Sequence, residues 1–160
     1  MKKHETKHNT IEIIEQLKAM QKSITFAESC TGGRIASAFT AISGASAVLN
    51  GSVVSYANEI KSSWLGVKEQ TLIEHGAVSE ACVEEMLKGI LKMASADYAI
   101  AVSGIAGPTG GTKEKPVGTV YIGVASTQKS IIQRHHFEGD REAVQTEASA
   151  TSIALLKNFL

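Results

Sequence analysis

A chain of 160 residues that is 43% hydrophobic and 20% charged has the length and balance of one globular domain. Its 16 basic and 16 acidic residues cancel, which removes the bulk charge expected of a nucleic-acid or anionic-membrane binder. Cys30 and Cys82, the two cysteines, make neither a disulfide framework nor a C-x-x-C pair, so a reducing compartment is expected. The basic start, Met1 to His8, leads into no apolar h-region, and no apolar run approaches the roughly 20 residues that span a bilayer. The expected setting is the cytoplasm.

Residues 1–9 read as a flexible polar tail, and 10–160 as a single domain. Thr10 is a plausible N-cap for a helix whose Ile13 and Leu17 stack at i and i+4. Ser23 to Ala27 reads as a short buried strand, followed by the turn Glu28-Ser29-Cys30-Thr31-Gly32-Gly33 and a helix over Arg34 to Ile42. A second strand spans Gly51 to Ala57. Asn58 then caps a short helix through Trp64, and a further helical piece covers Lys68 to Glu74. Ser79 is the natural cap of an amphipathic helix reaching Met93, with Glu80 in its first turn. The nearly all-apolar run Tyr98 to Ser103 suits a central strand covered on both faces.

Gly104 to Gly118 holds five glycines and both prolines, a loop of the length that usually serves function or is disordered. Strands over Thr119–Ala125 and Ser130–Phe137 form a hairpin, and Asp140 caps a last helix ending near Phe159. The alternation of helix and strand predicts a three-layer α/β/α sandwich with a mixed, mostly parallel sheet.

Three segments carry possible chemistry, and all three lie at strand ends, where α/β sheets bind ligands. The turn Glu28 to Gly33 presents Ser29, Cys30 and Thr31 at a helix N-terminus, whose free N–H groups suit a phosphate or an oxyanion. The same residues also suit an ordinary capped turn. The turn is neither G-x-S-x-G nor a Walker A loop. A serine needs an adjacent base to attack an amide, and none of the five histidines stands out. Lys61, one turn past the strand that ends at Tyr56, can serve if burial lowers its pKa, with Tyr56 as a proton relay. The loop from Ser103 to Gly118 reads as a binding loop. Cys30 is either a small buried residue or a rival nucleophile. Adjacent His135 and His136 point to opposite faces of a strand, so neither metal nor cofactor is expected.

Taken together, Ala27-Glu28-Ser29-Cys30-Thr31-Gly32-Gly33, Tyr56-Ala57-Asn58-Glu59 with Lys61, His75-Gly76-Ala77-Val78-Ser79, Ser103-Gly104-Ile105-Ala106-Gly107-Pro108, Lys115-Pro116-Val117-Gly118-Thr119-Val120 and Gly139-Asp140-Arg141 resemble the CinA C-terminal domain family. The resemblance covers nearly the whole chain beyond residue 10. It implies hydrolysis of the carboxamide of nicotinamide mononucleotide to nicotinic acid mononucleotide and ammonia, by a cytoplasmic homodimer without cofactor. It makes Ser29 the nucleophile, Lys61 the base and Tyr56 a helper. It puts an oxyanion hole or phosphate cradle at Thr31, Gly32 and Gly33. Glu28, Cys30, Asn58, Ser103, Gly104 and Gly107 fall on the substrate side, and Arg141 toward the phosphate. Family members commonly carry a second arginine where this chain has Gln145, a change expected to weaken phosphate binding. Two alternatives compete with the amidase: a pyridine-nucleotide sensor without turnover, and a protein-interaction module.

Overall fold

The computed structural model describes residues 2–160. Five strands, β1 (Ile24–Glu28), β2 (Leu49–Val54), β3 (Tyr98–Gly104), β4 (Thr119–Ser126) and β5 (Ser130–His136), form one sheet in the order β2-β1-β3-β4-β5. The pairs β2–β1 and β1–β3 are parallel, while β3–β4 and β4–β5 are antiparallel. Six helices accompany it: α1 (Lys2–Met20), α2 (Arg34–Thr40), α3 (Asn58–Leu65), α4 (Glu69–His75), α5 (Glu80–Ala94) and α6 (Arg141–Phe159). The sheet is therefore mixed, as predicted, with parallel pairing confined to the half that carries β1, β2 and β3.

Alternation along the strands splits the core into two layers. Ile24, Phe26, Ile100, Val102, Val120, Ile122 and Val124 face α1, α2 and α6. Ala27, Ala99, Ala101 and Ala125 face α5, with α3 and α4 packed outside it. The large residues fill the first layer, and the small ones let α5 lie close to the second. Gly123 carries this furthest: a Cβ there would stand 2.7 Å from Leu87 Cδ1 and 2.8 Å from Val83 Cγ1. On the opposite face Phe39 of α2 meets Phe26 of β1 with ring centroids 4.8 Å apart. Burying each ring contributes about 1.5–3 kcal/mol and pins α2 to the strand that precedes it.

Two helix starts differ from expectation. α1 begins at Lys2, and Thr10 lies inside it, donating its hydroxyl to the Thr6 carbonyl at 2.7 Å. No Gly or Pro interrupts residues 2–9. Ion pairs from Lys2 to Glu147 and from Lys157 to Glu12 hold α1 along α6, so the polar segment read as a tail continues the helix. α3 is capped by Ala57, whose carbonyl accepts from the Ile60 and Lys61 N–H groups. Asn58 is the first helical residue, which leaves its amide free of a capping role. Ser79 and Asp140 cap α5 and α6 as predicted, accepting from the N–H groups of Cys82 and Ala143. Among the described residues, no helix is long and apolar enough to cross a membrane.

Candidate active site

The three parallel strands end side by side. β1 runs into Ser29, β2 into Ser55 and Tyr56, and β3 ends at Ser103 and Gly104. This is where the sequence placed the three chemical segments, and the chain closes them around a cavity of 170 Å³. Ser29, Cys30, Tyr56, Asn58, Lys61, Ser103, Gly104 and Arg141 line it. Ala77 and Val78, from the loop before α5, complete the wall. They contribute shape without polar groups, so sequence reading placed them in a family stretch but gave them no role in the site.

Lys61 projects from the first turn of α3 and is 1% exposed. Its Nζ donates to the Ser55 carbonyl at 2.7 Å and to the Tyr56 carbonyl at 2.9 Å, and it lies 3.1 Å from Ser29 Oγ. Among the described residues, no carboxylate pairs with it. Burial removes the ammonium from water, and this desolvation holds its pKa below the ordinary 10.5. Three acceptors surround the amine, the two carbonyls and the Ser29 hydroxyl; in the neutral form two N–H bonds serve the carbonyls and the lone pair can meet that hydroxyl. Tyr56 serves the lysine through its main chain. Its ring is 59% exposed, and its hydroxyl accepts from Arg141 at 3.0 Å. The relay read for the phenol therefore has no direct link to the lysine.

Glu28 faces away from the cavity. It is 0% exposed. Oε1 accepts from the Thr31 hydroxyl at 2.6 Å and from the Gly33 and Ile35 N–H groups at 3.1 Å each, and Oε2 accepts from the Ala36 N–H at 3.0 Å. The carboxylate thus fills the N-terminus of α2, where the sequence reading put a substrate anion. The Gly32 N–H donates to the Ser29 carbonyl at 3.0 Å, so neither glycine N–H is free for a ligand. Gly33, at φ +96°, is needed to bend the chain back over Glu28. The N–H groups of Cys30 and Thr31 have no protein partner among the described residues, and they follow the serine directly.

Cys30 is 4% exposed, and burial pushes its thiol up to about 12. A thiol at that value carries almost no thiolate at neutral pH, which argues against it as the nucleophile. Ser103, 2% exposed and next to last in β3, lines the cavity, and its hydroxyl has no protein partner among the described residues.

A second cavity of 680 Å³ adjoins the first through Ala106 and Arg141. Arg141 sits at this junction, its guanidinium donating to the Gly107 carbonyl at 2.7 Å as well as to Tyr56. Gln145 lines the larger space and donates to the Cys30 carbonyl at 3.1 Å. Arg34 lines it too. Sequence reading took it only as the start of a helix; its position directly after Gly32-Gly33 is the signal that could have marked it. Among the described residues, no group of three His, Cys, Asp or Glu gathers to hold a metal.

Known proteins share this frame. The model of the CinA C-terminal domain matches residues 6–160. The nicotinamide-nucleotide amidohydrolase PncC of Escherichia coli K12 is 50% identical over 143 residues, covering 89% of this chain and 87% of that protein. A CinA-like protein of Thermotoga maritima is 45% identical over 148 residues, 92% of this chain. The chain spans only 36% of that relative's length. The competence damage-inducible protein A of Klebsiella pneumoniae superposes with a TM-score of 0.92 at 42% identity, covering 96% of this chain and 95% of that one. A CinA superfamily protein from Escherichia coli gives 0.93 at 34% identity, covering 97% and 90%. The chain belongs to the CinA C-terminal domain family.

Proposed function

We propose that this chain hydrolyses the carboxamide of nicotinamide mononucleotide, with Ser29 as nucleophile and Lys61 as general base. The observation that carries the reading is the buried Lys61 amine, 3.1 Å from Ser29 Oγ and held by two carbonyls with no carboxylate to keep it charged. The 50% identity to the amidohydrolase of Escherichia coli supplies the substrate class.

Neutral Lys61 accepts the Ser29 proton as Oγ bonds to the carboxamide carbon. The oxyanion forms beside the free N–H groups of Cys30 and Thr31, a revision of the glycine cradle read from sequence. Such donors contribute roughly two to three decades in rate each. Protonated Lys61 then returns the proton to the amide nitrogen, the C–N bond breaks, and ammonia leaves. Water enters, gives its proton to Lys61 and attacks the acyl carbon, so that the carboxylate departs and Ser29 recovers its proton. The cationic pyridinium ring makes the carbonyl more electrophilic, which suits an alcohol nucleophile. Ser103 and Asn58 offer polar groups to the carboxamide, and Gly104 and Gly107 let the loop backbone approach it. In this proposal Glu28 positions the serine turn and does not touch substrate. The resemblance also brings a homodimer and a cytoplasmic setting into the proposal.

The test is ammonia release from nicotinamide mononucleotide by the wild type and by Ser29→Ala. Release should fall by roughly a thousandfold or more in the variant. Undiminished release would remove Ser29 from the mechanism.

A further inference from the structure

We propose that Arg34 binds the substrate's phosphate, facing Arg141 across the larger cavity; this rests on the function proposed above. Pockets that take ligands of this size measure roughly 300–1,000 Å³, more than the 170 Å³ around Ser29. A nucleotide whose carboxamide sits at Ser29 therefore extends past Arg141 into the 680 Å³ space.

The α2 N-terminus cannot receive the phosphate there, because Glu28 already fills it. The N-terminus of α6 also borders this space, and the cationic side chains on its lining are Arg34 and Arg141. Asp140 and Glu142 line it as well. Asp140 is engaged with the Ala143 N–H, whereas Glu142 is exposed on α6. Without Arg34, carboxylates would outnumber cations around a dianion.

The two guanidiniums are also differently committed. Arg141 donates to the Gly107 carbonyl and the Tyr56 hydroxyl, while Arg34 donates once, to the Thr31 carbonyl at 3.1 Å. A guanidinium carries five N–H donors in a planar fork, so Arg34 keeps most of its fork for phosphate oxygens. Its exposed side chain starts at the first helical residue beside the Ser29 turn, so the same loop positions both the nucleophile and the anchor.

Three measurements on Arg34→Gln test this: kinetics on nicotinamide mononucleotide, kinetics on its dephosphorylated riboside, and calorimetric titration with ribose 5-phosphate. Loss of a charge-assisted contact should raise KM for the mononucleotide by roughly ten- to a hundredfold, with kcat retained. KM for the riboside should not move, and ribose 5-phosphate binding should weaken by a similar factor. An unchanged mononucleotide KM, or a riboside KM that rises in parallel, would overturn the assignment. The titration separates this inference from the amidase reading. Phosphate binding lost in Arg34→Gln, in a protein that releases no ammonia, would uphold Arg34 and remove the amidase. Ammonia release with wild-type behaviour of Arg34→Gln toward both ligands would do the reverse.

Discussion

The proposed mechanism makes Lys61 link pH to both rate and stability. Burial lowers its pKa from 10.5, and each unit of that displacement corresponds to about 1.4 kcal/mol. Above pH 10.5 both folded and unfolded chains hold a neutral amine, and the group adds no pH dependence. As pH falls through 10.5, the unfolded chain takes up a proton that the folded chain still refuses. Stability then declines by about 1.4 kcal/mol per pH unit until the lowered folded value is reached, and is level below it. The rate follows the same folded value: kcat/KM rises about tenfold per pH unit below it and is flat above.

Ammonia release between pH 6 and 10 reads the rate, and urea unfolding over the same range reads the stability. Lys61→Met should lose the stability slope below 10.5 and about two to four decades of activity. Lys61→Arg keeps the donors but stays charged, so it should be equally inactive. A rate still climbing tenfold per unit through pH 10 would show an ordinary lysine. A Lys61→Arg variant with more than a tenth of wild-type kcat would show that the lysine only positions Ser29. Either result refutes the general-base argument.

Further outcomes follow from the buried groups nearby. With the Cys30 thiol pushed up to about 12 and that of Cys82 to about 11, the native protein at pH 8 should resist iodoacetamide. Intact mass should show both thiols free until the chain is denatured. Cys30→Ala should keep kcat within about tenfold, because the mechanism asks only for the backbone N–H of that residue; loss of all activity would return the thiol to candidacy. Glu28→Ala would orphan three buried N–H groups and one hydroxyl. At about 1–3 kcal/mol per unsatisfied group, tempered by water entry, a loss of about 3–5 kcal/mol is expected. That lowers Tm by about 6–20 °C for a domain of this size. A Tm within about 2 °C of wild type by calorimetry would show that the cap is not needed.

What could be read from sequence was local. Ser79 and Asp140 announced their helices because a cap and the N–H it binds lie three residues apart. The alternation of strands and helices gave the layers, and the run Tyr98 to Ser103 gave the central strand. Long-range information failed at identifiable places. Residues 2–9 looked like a tail because their helix is held by Glu147 and by the flank of α6, which are remote in sequence. Glu28 looked like a ligand residue because nothing in its neighbours says which way a buried carboxylate turns. Lys61 entered by elimination and by resemblance, and the carbonyls of Ser55 and Tyr56 that orient it have no sequence signature at all, since every residue carries one. Tyr56 lines the cavity, but what it offers the lysine is its backbone carbonyl.

In the proposed mechanism, the direction of Glu28 favours a neutral Lys61. Glu28 ends β1 and Lys61 lies in α3, and the carboxylate immediately precedes the serine that the lysine meets. Had Glu28 faced the cavity, an anion there would have favoured the ammonium, raised the lysine pKa and abolished the base. The turn avoids this by spending the carboxylate on α2: the Gly33, Ile35 and Ala36 N–H groups and the Thr31 hydroxyl satisfy it completely. A buried carboxylate is tolerated only when its lone pairs are met in this way. Gly32 and Gly33, with φ of +58° and +96°, let the chain fold back far enough to do so. The glycines that sequence reading assigned to a phosphate therefore act one step earlier. In the proposed mechanism they turn one charge away from the cavity so that another, on α3, can be given up.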